Sequence, residues 1–112
     1  MSKDARVDHR VDVKLLVDYS SNGSYLFDFC RDLGTGGVFI ETDKPQPIDS
    51  KIDLTFTIPD SKSTVTVSGK VIWVQAKVEG KDITPGMGVQ FDELDGAKFD
   101  QLKEFVERYH AA

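Results

Sequence analysis

Apolar and polar residues alternate along most of this chain, and the alternation falls into six runs. Val11, Val13, Leu15, Val17 and Tyr19 share one parity, with Asp12, Lys14 and Asp18 on the other. That pattern predicts a strand over 11–19 with one face in a core and one in water. Ser20 to Ser24, with Asn22-Gly23 inside it, is a hairpin turn signal. Tyr25, Phe27 and Phe29 alternate with Asp28 and bring the chain back toward Asp32, where Gly34, Gly36 and Gly37 break the run. Val38 to Glu41 is a short strand, and Pro45 and Pro47 exclude regular pairing in the loop behind it. Ile52, Leu54, Phe56 and Ile58 alternate with Asp53, Thr55 and Thr57 before Pro59-Asp60 opens a turn. Thr64 to Val74 is a long strand with Val65, Val67, Val71 and Trp73 on one parity. Gly69 is the expected place for a bend or bulge that lets so long a strand wrap around a barrel. A polar loop over 75–82 leads to the last strand, Met87 to Phe91.

The period then changes. Phe99, Leu102, Phe105, Val106 and Tyr109 recur at steps of three and four, with charged residues between them. This predicts an amphipathic helix of roughly four turns, capped at its start by Asp95. Its apolar stripe needs a surface, and the open end or flank of the barrel supplies one. The expected fold is all-β: a six-stranded antiparallel barrel with a C-terminal amphipathic helix. Residues 1–10 read as a polar, flexible arm, and 11–112 as the barrel domain with its helix.

Composition narrows the function. A chain of 112 residues suits one domain. A formal net charge of −5 argues against general DNA or RNA binding, which requires several arranged cations. No run reaches the roughly 18 apolar residues of a membrane span, so no direct membrane insertion is expected. MSKDARVDHR has no apolar signal-peptide core. A cytoplasmic protein is expected. Cys30 is the lone cysteine and reads as a small core residue. His9 and His110 lie at opposite ends of the chain, so no metal site is expected. No nucleophile elbow, Walker loop or dinucleotide fingerprint is present. Neither catalytic residues nor a cofactor are expected, and the chain does not read as an enzyme.

What remains is a pair of arginines, Arg6 and Arg10, and the glycine-dense segment DLGTGG over 32–37. Guanidinium forks suit phosphate oxygens and stack on aromatic bases. A glycine turn passing through positive φ offers backbone N–H groups with little obstruction. The first two strands are antiparallel neighbours, so the start of one lies beside the end of the other. The arginines and the glycine segment therefore meet at one end of the barrel, as a clamp for a compact, phosphate-bearing ligand.

RVDHR and DLGTGG resemble the two motifs of the PilZ domain, the bacterial receptor module for cyclic di-GMP: Arg-x-x-x-Arg, then Asp/Asn-x-Ser-x-x-Gly. GGVFIET, GKVIWV and PGMGVQFDEL are also similar to the family, so the resemblance spans nearly the whole chain. It implies that Arg6 and Arg10 clamp the phosphates and stack on guanine, and that Asp32 accepts guanine N–H bonds. It implies a hydroxyl donor at position 34, where this chain has Gly34, and close approach at Gly37. A hydrogen bond of this kind is worth roughly 1.5–3 kcal/mol, so its loss weakens binding about 10- to 100-fold unless Thr35 or a backbone N–H stands in. The resemblance further implies relay of the cyclic di-GMP signal to a cytoplasmic or membrane-associated protein partner in motility, adhesion or exopolysaccharide control. The alternative is a degenerate PilZ domain that binds no nucleotide and acts through protein contacts.

Overall fold

The computed structural model describes residues 10–21, 23–57 and 64–111. Arg6 and the rest of segment 1–9, Asn22 of the hairpin turn, and Ile58 with the Pro59-Asp60 turn lie outside the described residues. Two short strands, β1 (Arg10–Val11) and β4 (Leu33–Gly34), form a small antiparallel ribbon. The other six are β2 (Leu15–Ser21), β3 (Ser24–Arg31), β5 (Gly37–Glu41), β6 (Lys51–Thr57), β7 (Thr64–Gln75) and β8 (Gly86–Phe91). They close into an antiparallel barrel in the order β2-β3-β5-β8-β7-β6. One helix, α1 (Gly96–Ala111), follows.

The alternation decides which face of each strand is buried. Leu15, Val17 and Tyr19 point inward from β2; Ile52, Leu54 and Phe56 from β6; Val65 and Val67 from β7; Met87, Val89 and Phe91 from β8. Each apolar side chain buried in this way stabilises the fold by about 1.5–3 kcal/mol. Phe56 and Phe91 meet edge to face, with ring centroids 6.1 Å apart. The hairpin register sets the parity of β3. Leu15, Val17 and Tyr19 pair with Cys30, Asp28 and Leu26, so these even positions turn inward. Tyr25, Phe27 and Phe29 consequently face out and are exposed. Asp28 is tolerated on the inner side because the Tyr19 hydroxyl donates to its Oδ2 at 2.6 Å.

Three expectations are corrected. The strand predicted over 11–19 is interrupted at residues 12–14, and its first part pairs with β4 rather than β3. Inward alternation nevertheless continues through Val11 and Val13, both buried. The irregularity in β7 lies at Ile72, between Val71 and Trp73, not at Gly69. Gly69 serves close packing, since a Cβ there would strike the Gln90 carbonyl and the Val89 side chain. The bulge adds one residue and reverses the parity behind it. Trp73, placed by simple alternation on the core side with Val71, is turned outward instead.

Asp95 caps α1, as its position in the sequence suggests. Its Oδ1 accepts the Lys98 N–H at 2.8 Å and its carbonyl accepts the Phe99 N–H at 3.0 Å. The helix rests on β1, β4 and β7. Leu102, Phe105 and Val106 are buried, whereas Phe99, in the first turn, stays 42% exposed. No helix among the described residues is long and apolar enough to cross a membrane.

Candidate ligand site

β3 ends at Arg31, and the next residue makes a corner. Asp32 has φ 54°, in the left-handed region. Short polar Asp tolerates this region better than most residues, so Asp32 has a backbone reason to be there besides any ligand. Among the described glycines positive φ occurs at Gly23 and Gly80, not within DLGTGG. The expected glycine turn is thus built differently. Asp32 makes the corner, and Leu33-Gly34 becomes strand β4. Thr35 and Gly36 bend the chain into β5.

The β1–β4 register sets Val11 opposite Leu33 and Arg10 opposite Gly34. The second arginine of RVDHR and the third residue of DLGTGG are therefore direct neighbours along the backbone, as the antiparallel argument requires. Arg6 lies outside the described residues. Leu33 is fully buried and Gly34 is buried beside it, so the ribbon is anchored to the core. At Gly37 a Cβ would run into the Val89 carbonyl of β8. The barrel wall itself demands glycine there, independently of any ligand.

The outer face beside this corner carries residues that simple alternation and motif reading miss. Register places Arg31 next to Phe39, Phe39 next to Gly88, and Gly88 next to Trp73, in one row across β3, β5, β8 and β7. The rings of Phe39 and Trp73 stack, with centroids 5.3 Å apart and planes at 27°. Gly88 makes this possible, because a Cβ on it would fall within the Trp73 indole, and one on Gly86 would fall on the Phe39 ring. The GMG sequence of β8 is a trough in the outer wall, and two aromatic side chains lie in it. The available signals were the glycines of PGMG at outward parity and Phe39 at the parity opposite to Val38 and Ile40.

Asp12, Arg31, Asp32, Phe39, Trp73, Gln75, Asp82 and Thr84 are among the residues lining a groove of about 580 Å³ here, within the 300–1,000 Å³ typical of small-molecule sites. A second hollow of about 380 Å³ continues from Asp32, Phe39 and Trp73 over Gly36, Gly37 and Ile72. The Gln75 side-chain amide donates to the Thr84 carbonyl at 2.5 Å and ties the loop before β8 to the end of β7. Arg31 Nη1 lies 3.1 Å from Glu41 Oε2 in an exposed ion pair, worth little in stability. Among the described residues, three carboxylates and one guanidinium line the larger groove. They suit a ligand with N–H donors and a flat ring better than a bare phosphate. Among the described residues no group of three or more His, Cys, Asp or Glu side chains is placed to hold a metal ion.

Comparison with known proteins bears on this arrangement. The PilZ domain model matches residues 4–108. No curated protein matches in sequence. Among solved structures, the inhibitor of motility MotI/DgrA of Bacillus subtilis superposes with a TM-score of 0.77 at 14% identity, over 96% of this chain and 52% of that one. This chain thus spans about half the length of that protein. The cyclic di-GMP-bound PilZ domain of YcgR from Escherichia coli gives 0.73 at 17% identity, over 94% of this chain and 91% of that one. The PilZ domain of CeSA from a cellulose-synthesizing bacterium gives 0.68 at 11% identity, covering 91% and 98%. At such identities these likenesses speak to the fold, and the family match carries the assignment: the chain belongs to the PilZ domain family, a family of non-catalytic cyclic di-GMP-binding modules.

Proposed function

We propose that this domain is a cyclic di-GMP receptor that hands its signal to a protein partner. The observation that carries the reading is the register of Arg10 opposite Gly34, with Asp32 at the adjoining corner and the Phe39–Trp73 pair in the groove beside it. In this reading Arg6 and Arg10 neutralise the phosphates, Asp32 accepts N–H bonds from a guanine edge, and Thr35 supplies the hydroxyl that Gly34 lacks. Gly37 leaves the approach clear. The charge of the groove supports a role for the arginines. Among the described residues its wall holds Asp12, Asp32 and Asp82 against Arg31, so a doubly anionic ligand calls for cations from RVDHR. Trp73 and Phe39 offer an aromatic surface for a base. Partners in motility, adhesion or exopolysaccharide control are consistent with the fold shared with an inhibitor of motility and with the PilZ domain of CeSA from a cellulose-synthesizing bacterium.

Calorimetric titration with cyclic di-GMP tests the reading. Wild type should bind, Arg10→Ala and Asp32→Ala should lose binding while remaining folded, and added salt should weaken it. Gly34 sits in extended strand backbone, so a serine meets no dihedral objection. Thr35→Ala should weaken binding about 10-fold or more, and adding Gly34→Ser to that variant should restore it by returning one hydrogen bond. A folded wild type that binds nothing at high micromolar nucleotide rejects the receptor. The missing hydroxyl at Gly34 then favours the nucleotide-independent adaptor.

A further inference from the structure

β3 has an open edge. Only Cys30 and Arg31 pair with β5, whereas Ser24 to Cys30 all pair with β2. The hairpin turns between Ser21 and Ser24 through two residues, which makes that flanking pair the hydrogen-bonded one. Ser24, Leu26 and Asp28 therefore direct their backbone groups at β2, and Tyr25 and Phe27 direct theirs away from it. Among the described residues no backbone hydrogen bond reaches that outer side of Tyr25 or Phe27. Monomeric proteins guard such an edge with lysine, proline, a bulge or an inward charge; here the inward Asp28 is held within the barrel by the Tyr19 hydroxyl. Ser24–Phe29 contains neither lysine nor proline, and its register with β2 is unbroken. The side chains on the same stretch are equally open: Tyr25 is 85% exposed and Phe27 66%, with Leu16 and Phe29 beside them on the outer face. The helix of this chain is docked elsewhere, on β1, β4 and β7.

We propose that the β3 edge pairs antiparallel with β3 of a second copy of this chain, joining two barrels through one continuous sheet. The sequence of the edge is self-complementary, as a two-fold interface requires. Centred on Phe27, the pairing sets Phe27 against its own counterpart and Tyr25 against Phe29 of the second copy. Leu26 faces Asp28 of the second copy, and the pairing ends at Phe29, before Cys30 and Arg31, whose outer side is taken by β5. The one charged residue within Ser24–Phe29 is Asp28, so no like charges meet across the pair. At roughly 150–250 Å² per aromatic side chain, the two copies expose apolar surface on the order of 1,000 Å² here; edge pairing covers part of it, the scale of a small, concentration-dependent interface. The contact uses the end of β3 remote from Asp32 and stands independently of the ligand reading.

Sedimentation velocity on the full chain, from low micromolar to millimolar concentration, tests this. Wild type should shift from monomer to dimer. Phe27→Pro removes an N–H that points away from β2, so it spares the hairpin ladder and should abolish the dimer. Phe27→Lys should do the same with the backbone left intact, and far-UV circular dichroism confirms that both variants fold. In the proposed pairing the two Phe27 Cα atoms lie about 5.5 Å apart, inside the disulfide range of about 4.4–6.8 Å. Phe27→Cys should then cross-link to a covalent dimer under mild oxidation, without competition from buried Cys30. A wild type that stays monomeric throughout overturns the proposal, as does a dimer that survives both Phe27→Pro and Phe27→Lys.

Discussion

Cys30 shows how one residue reports its surroundings. It is fully buried opposite Leu15. Burial pushes its thiol up from 9.0 to about 12, with the Glu41 charge adding to the shift and backbone hydrogen bonds opposing it. Burial also raises the Tyr19 hydroxyl, helped by its bond to Asp28 and opposed by Thr42. Such a thiol is a poor nucleophile, so the native protein should resist iodoacetamide until it is unfolded. The linkage follows from the direction of the shift. Above 9.0 the unfolded chain releases the Cys30 proton while the folded chain retains it. The thiol's contribution to stability is therefore complete below 9.0, declines as pH rises, and is gone once the folded thiol itself ionises near 12. Denaturant midpoints measured on either side of pH 9.0 should fall with pH in wild type, and fall less in Cys30→Ala, which lacks this group. A fall of equal size in both proteins would assign the alkaline loss to other groups, Tyr19 first.

At the scale of elements, the helix gives the cleanest contrast. Phe105 is buried against the barrel and Phe99 is only partly covered, although both lie on the same predicted stripe. Phe105→Ala should cost about 3–5 kcal/mol, a large share of the roughly 5–15 kcal/mol available to a domain. Phe99→Ala should stay within about 1 kcal/mol. Urea unfolding of the two variants checks both figures, and equal losses would mean that the first helical turn is packed as tightly as the middle. Most elements were legible because alternation and breaker residues agree in β2, β5, β6 and β8, and because Asp95 sits where a cap belongs. What alternation cannot reveal is a change of phase. The extra residue at Ile72 turned Trp73 out of the core, and the hairpin register, not polarity, turned Tyr25, Phe27 and Phe29 out.

Across the whole molecule, closure of the barrel is uneven. β6 and β7 pair along their full common length from Lys51 to Thr57, whereas β3 and β5 share two residue pairs. Local opening should begin at that short seam, since few hydrogen bonds hold it. Native-state hydrogen exchange should find the seam amides of Arg31 and Phe39 less protected than those in β6 and β7. Uniform protection around the barrel would show that it opens only as a unit. The site was legible in part for a related reason. RVDHR and DLGTGG are continuous in sequence, and antiparallel pairing alone brings Arg10 to Gly34. The aromatic wall is assembled from β5, β7 and β8, and depends on glycines whose purpose emerges only when the strands lie side by side. That wall has an optical consequence. The chain carries a single tryptophan, and it stands in the groove, stacked on Phe39 above a glycine. The native emission spectrum is therefore the spectrum of the groove itself, and an unlabelled sample announces a bound ring by the quenching or shift of its own fluorescence.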